Sequence, residues 1–203
     1  MNVVSCNRIG FHNNSGIDTS VRRLETTYDT LGQPLLLTSY SATTGGSIVN
    51  QVLRDYNGLS QVTAEYQSHS GAVNTSTTPK VQYAYSEMTG GANHSRLTQL
   101  VYPQGATVNY SYGSGVDGAI SRITSAEMLS TGNATLSSEA YSYLGLGQVV
   151  VKSTPVANLS YIQATGDTSA NTDAGDQYTG LDRFGRVIDQ VWRNSSGSVI
   201  DRY

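Results

Sequence analysis

Tyr28-Asp29-Thr30-Leu31-Gly32-Gln33-Pro34-Leu35 holds an aromatic residue, four residues of turn chemistry, an amide and an apolar run. Asp at the first turn position offers a carboxylate to the backbone ahead of it. Gly at the fourth accepts a positive φ. The stretch reads as a type I turn closed by a left-handed glycine, a common hairpin connection. The same order recurs three times: Tyr56-Asn57-Gly58-Leu59-Ser60-Gln61-Val62-Thr63, Tyr143-Leu144-Gly145-Leu146-Gly147-Gln148-Val149-Val150 and Leu181-Asp182-Arg183-Phe184-Gly185-Arg186-Val187-Ile188. Each runs from an aromatic or apolar residue through a turn to Gln or Arg and then an apolar stretch.

Two Tyr-x-Tyr units, Tyr83-Ala84-Tyr85 and Tyr110-Ser111-Tyr112, fall between these segments, so anchor tyrosines stand at 28, 56, 85, 112 and 143. The gaps are 28, 29, 27 and 31 residues, and a last unit follows at Leu181. A fixed period of this size marks a repeat architecture. Linking turns fall at Gly45-Gly46, Pro103-Gln104-Gly105 and Ser195-Ser196-Gly197. Val108, Tyr110 and Tyr112 alternate with Asn109 and Ser111, which predicts a strand. Val187 to Trp192 also reads as a strand, apolar on parts of both faces. Each unit is therefore one hairpin and a linking turn. A lone hairpin is marginal in water, so the hairpins must pair side by side, and strand twist coils the resulting sheet. Residues 69–79 and 164–177 read as longer loops. Residues 124–140, with Ala126, Glu127, Met128 and Leu129, hold the best candidate for a short helix.

Composition agrees with many strands. Of 203 residues, 37% are hydrophobic and 13% charged, 21 are Gly and 14 are Tyr. Ser and Thr make about a quarter of the chain. A helical bundle would need more Ala, Leu, Glu and Lys. A net charge of −3 offers no basic surface to nucleic acid. No apolar run is long enough to span a membrane as a helix. The single cysteine, Cys6, excludes an internal disulfide and a cysteine-clustered zinc site. Val3-Val4-Ser5-Cys6 looks like a lipoprotein box, but it lacks the basic and apolar stretches of a signal peptide.

The remaining candidate sites are weak. Gly113-Ser114-Gly115-Val116-Asp117-Gly118 matches the dinucleotide pattern, yet Ala119 to Thr124 after it reads as β-like rather than helical, so a glycine-rich turn is expected. Asp167, Asn171, Asp173 and Asp176 cluster oxygen ligands without the spacing of a calcium loop. His12, His69 and His94 show no metal-ligand spacing. No acid–base or nucleophile constellation stands out. No catalytic, cofactor-binding or metal residue is therefore assigned. The tyrosines could stack sugar rings, but their period-two placement favours sheet packing.

At these residues the chain resembles the RHS or YD-repeat family. Tyr28-Asp29 is the naming pair. Tyr83-x-Tyr85, Tyr110-x-Tyr112 and Tyr141-x-Tyr143 match the first half of the repeat, and Gly185-Arg186 the second. Tyr102-Pro103-Gln104-Gly105 followed by Val108 to Gly113 is similar to an inter-repeat segment. The resemblance spans about residues 20 to 203. It implies an all-β fold of repeated antiparallel hairpins in a continuous, coiled sheet, part of a shell. Bacterial members enclose a polymorphic C-terminal toxin or effector. Related modules serve in cell-surface adhesion, and carbohydrate binding has been proposed for the repeats.

The expected organisation is a loose N-terminal extension over 1–20 and a repeat region over 21–203. That region holds about six units of 28–38 residues and is cut within a repeat at Asp201-Arg202-Tyr203. The expected role is structural and non-catalytic, in a secreted or cell-surface protein. Its partners would be flanking repeats and a C-terminal effector domain. The alternative is a carbohydrate-binding adhesion module.

Overall fold

The structure, a computed structural model, describes residues 4–8, 20–86, 95–162 and 177–203. Among the described residues it is all-β, built from antiparallel strands with one short helix. The chain forms two compact units: residues 1–85 with 100–105, and residues 86–99 with 106–203. Strand β7 (Leu97–Val101) contributes residues to each.

The first unit contains β1 (Val4–Arg8), β2 (Arg23–Tyr28), β3 (Pro34–Tyr40), β4 (Ile48–Tyr56), β5 (Val62–Ser68) and β6 (Lys80–Tyr85). Each strand pairs antiparallel with the next. Register aligns Glu25, Thr38, Gln51 and Ser68 in one row. Thr27, Leu36, Leu53, Tyr66 and Lys80 form another. Thr38, Gln51, Ala64 and Tyr66 are buried, whereas most other strand residues are only half-buried. The core here is partly polar. Gln51 Nε2 donates to Thr38 Oγ1 at 2.8 Å, and its Oε1 accepts the Val73 N–H at 2.9 Å from the loop over residues 69–79. Both amide ends are thus satisfied, which burial requires.

The second unit contains β8 (Thr107–Ser111), α1 (Gly115–Ala119), β9 (Ser125–Leu129), β10 (Thr135–Leu144), β11 (Gln148–Ser153), β12 (Ala157–Ser160), β13 (Val191–Asn194) and β14 (Val199–Arg202). Strands β8 to β14 also pair in chain order. Here the buried residues are mainly apolar, although Thr179 and Asp182 are buried too. Leu181 and Val150 are each 1% exposed, with Val191 and Ala106 also buried. The connection from β12 to β13 packs closely. A Cβ on Gly180 would sit 2.5 Å from Asp189 O and 2.8 Å from Tyr161 Cα. Only glycine allows that approach.

Three expectations need correction, and a fourth is qualified. Residues 124–140 form the β9–β10 hairpin, not a short helix. The helix lies instead at Gly115–Ala119, and residues 120–124 carry no strand. The strand read over 187–192 begins only at Val191. Val187 makes an isolated bridge to Leu181, and the N–H groups of Ile188 and Asp189 go to Gly180 O rather than to a ladder. Within the stretch read as a loose extension, residues 4–8 pair with β2. The loop at 69–79 is observed between β5 and β6, whereas residues 163–176 lie outside the described residues.

Candidate functional site: turns and tyrosine stitches

The recurring feature is a turn. At Asp29–Gly32, Asp29 N–H donates to Gln33 O at 2.9 Å and Gly32 N–H to Asp29 O at 3.2 Å. Asp29 Oδ1 accepts from the N–H groups of Leu31 and Gln33, both at 2.8 Å. Gly32 has φ of 81°. The same bonds recur at Asn57–Ser60, Asp182–Gly185 and Asn194–Gly197. At Ser130–Asn133 the Ser130 hydroxyl takes the acceptor role and Asn133 the positive φ, 59°. The side-chain acceptor presets the turn, and the left-handed residue returns the strand. Asp182 titrates below the usual carboxylate range. The Arg186 N–H is the main cause; the Arg186 guanidinium, 2.6 Å away, and the Phe184 N–H add to it.

Successive turns in a meander fall on opposite rims of the sheet. The turns at 29–32 and 57–60 share one rim of the first unit. Those at 145–147 and 182–185 share one rim of the second. At their tips Leu31, Leu59, Leu146 and Phe184 are exposed. The linking turns at 102–105, 130–133 and 194–197 place Gln104, Gly132 and Ser196 there instead, whereas the linking turn between β11 and β12 exposes Val156. Turn geometry does not impose this difference, because both sets include the same backbone form.

Four of the anchor tyrosines stitch hairpins together. The hydroxyl of Tyr56 donates to Pro34 O at 2.8 Å, and that of Tyr85 to Val62 O at 3.0 Å. In the second unit Tyr112 donates to Leu97 O at 2.8 Å and Tyr143 to Ile123 O at 2.6 Å. Each acceptor follows the Gln or Arg of an earlier repeat: Gln33, Gln61, Arg96 and Arg122. The two arginines also lie over their tyrosine rings, at 5.1 Å for Arg96 on Tyr112 and 4.1 Å for Arg122 on Tyr143. Arg96 donates to Gly118 O, and Arg122 Nε donates to Asp117 at 2.7 Å. Helix α1 thus presents an acceptor to each guanidinium. Burial pushes the hydroxyls of Tyr85 and Tyr112 upward. Tyr141 is pushed up to about 12, first by donating to the Glu139 carboxylate and then by burial.

Among the described residues the sequence candidates lie apart from one another. Asp29 and Asp55 line one groove of the first unit with Leu31, Arg54 and Tyr56. Asp29 Oδ1 is held by turn amides, and Arg54 is paired with Glu65 at 2.7 Å. Gly118 lies inside α1 rather than opening it, and a five-residue helix cannot cradle a pyrophosphate. His69 is exposed on its loop. His12, His94 and the acidic stretch from Asp167 to Asp176 lie outside the described residues. Among the described residues no group of three or more His, Cys, Asp or Glu could hold a metal. No helix among them is long and apolar enough to cross a membrane. The stitch acceptors were missed in the sequence. Their signal was the Arg-Leu and Arg-Ile pairs at 96–97 and 122–123, the counterparts of Gln33-Pro34 and Gln61-Val62.

No family model matches the chain, and no curated protein matches it. Solved structures do. A TcdB2–TccC3–Cdc42 complex matches at 12% identity over 89% of this chain and 10% of that one, with a TM-score of 0.48. TcdB2–TccC3 without its hypervariable C-terminal region matches at 12% identity over 100% of this chain and 11% of that one, also at 0.48. A Photorhabdus luminescens Tc holotoxin pore matches at 11% identity over 90% and 12%, at 0.32. The chain spans about a tenth of the length of the solved chains it matches.

Proposed function

We propose that this chain is a structural segment of an RHS/YD-repeat shell, a wall that encloses a toxin or effector carried by the same polypeptide. The observation that carries the reading is the backward stitch of Tyr56, Tyr85, Tyr112 and Tyr143 onto earlier hairpins. It joins repeats through backbone carbonyls, so the sheet extends by adding hairpins rather than by enlarging a core. The first unit has the thin construction of a wall, with half-buried residues and a satisfied polar pair at its centre. In this reading the segment does no chemistry. It contains, and it bars proteases from what it surrounds. The protein would be secreted or displayed at the cell surface, with flanking repeats and a C-terminal effector domain as partners.

Limited proteolysis of the protein with its flanking sequence tests this. A downstream domain should resist digestion until the sheet is unfolded. Digestion of that domain at the rate of an exposed linker overturns the reading, as does a gene that encodes no such domain.

The adhesion alternative calls for an exposed aromatic row. The stitching tyrosines are half-buried with their hydroxyls engaged, and among the described tyrosines only Tyr102 and Tyr203 are exposed. Retention on a glycan array that is lost on replacing Tyr102 would restore that alternative.

A further inference from the structure

Asn57-Gly58 is the one Asn-Gly pair in the whole sequence. It occupies the first two positions of the β4–β5 turn, where Tyr28-Asp29 and Leu181-Asp182 place aspartate before a residue other than glycine. We propose that Asn57 is a self-modifying site, which loses its side-chain amide to the neighbouring backbone and becomes aspartate within the folded sheet.

Three observations converge. Asn57 Oδ1 accepts the N–H groups of Leu59 and Gln61, each at 3.0 Å, so the carboxamide reaches forward past Gly58. Asn57 N–H and Ser60 N–H are bonded within the turn as well. Among the described residues the Gly58 N–H has no such bond, and Gly58 is exposed with open space about its Cα. The Gly58 nitrogen is therefore the backbone nucleophile next in the chain to Asn57, and an uncommitted one. Finally, the product has a place to go. Asp29 and Asp182 make the same two acceptor bonds in the same turn.

The chemistry balances with water alone. The Gly58 nitrogen gives up its proton and attacks Asn57 Cγ, forming an N–Cγ bond. The Cγ–Nδ2 bond breaks, and the amide leaves as ammonia with that proton. Water then opens the imide. Cleavage at N–Cγ yields aspartate. Cleavage at the backbone carbonyl yields isoaspartate, whose main chain is one methylene longer. The aspartate form keeps both turn acceptors. It loses only the Asn57 Nδ2 bond to Gln61 Oε1 at 2.9 Å, which a flip of the Gln61 amide replaces. The isoaspartate form would shift the hairpin register, so the fold favours one product.

Peptide mapping of the full chain after incubation in mildly alkaline buffer tests the proposal. Asn57 should gain about one dalton well before any other asparagine. The aspartate share should be higher in the folded protein than in the same chain in denaturant. Gly58→Ala should slow conversion about tenfold, because a Cβ stiffens the attacking backbone. That variant keeps the fold, since nothing lies within 4 Å of the added Cβ. Asn57→Asp should leave the far-ultraviolet spectrum and Tm unchanged. An Asn57 that stays intact while other asparagines convert overturns the proposal. So does a Gly58→Ala rate equal to that of the parent, an isoaspartate share no lower than in denaturant, or an unfolded Asn57→Asp variant.

Discussion

The two units carry the same hairpin repeat and hold it differently. In the first, Gln33 and Gln61 precede the stitch acceptors, and the buried centre is the Thr38–Gln51 pair. In the second, Arg96 and Arg122 precede them and stack on the stitching rings, while Leu181 and Val150 are the most deeply buried side chains, with Thr179 and Asp182 also buried. One repeat can thus be stabilised by bonds across the sheet or by a segment folded onto it. The difference teaches that the repeat itself specifies the turn and the stitch, and leaves the core to each unit.

The comparison breaks first at Leu181. Leu181→Ala should cost the second unit about 2–5 kcal/mol, because a side chain that is 1% exposed leaves a cavity. Amide exchange read by mass spectrometry should show the loss at β11 to β13, with the first unit unchanged. Gly180→Ala should act in the same place and cost about 1–3 kcal/mol by overpacking. Next come the stitches. Tyr85→Phe and Tyr143→Phe each remove one hydroxyl bond and should cost about 1 kcal/mol in urea unfolding. A far larger cost for Tyr143→Phe would mean that the arginine stack depends on the hydroxyl.

Ser60 has φ of 64°, the position held by Gly32 and Gly185 in the equivalent turns. Ser60→Gly should stabilise the first unit by about 1 kcal/mol, since a left-handed conformation costs a non-glycine residue that much. The smallest effect is alkaline. Tyr141 is protonated up to about 12 in the fold and to about 10 when unfolded. Its contribution is full below the unfolded value and is lost as pH rises from there towards 12. Glu139→Gln should remove most of that dependence, as seen in an absorbance titration of the tyrosines.

Much of this was legible in the sequence because turns and anchors use local chemistry. Asp29 to Gly32 and Asp182 to Gly185 announce their conformation through one carboxylate and one glycine. Ser130 to Asn133 does the same work with a hydroxyl and a left-handed asparagine, a weaker signal beside which the helix-forming letters Ala126 to Leu129 stand out. The segment over 187–192 alternates like a strand, but the Gly180 carbonyl captures its amides, a long-range contact that periodicity does not encode. Helix α1 was hidden for a related reason. Its short turn exists beside Arg96 and Arg122, whose guanidiniums bond Gly118 O and Asp117. The apolar tips were visible as letters, yet their exposure follows only once each turn is placed on a rim.

The direction of the stitches sets an order of growth. Tyr56, Tyr85, Tyr112 and Tyr143 all reach towards the N-terminus, by 15 to 23 residues. A chain emerging from the ribosome presents every acceptor before the tyrosine that will seek it. Each new hairpin can therefore lock onto a finished one, over a short stretch of chain. Such a sheet need not wait for its last residue to begin folding, and its hydroxyl ladder records the sequence in which it was laid down.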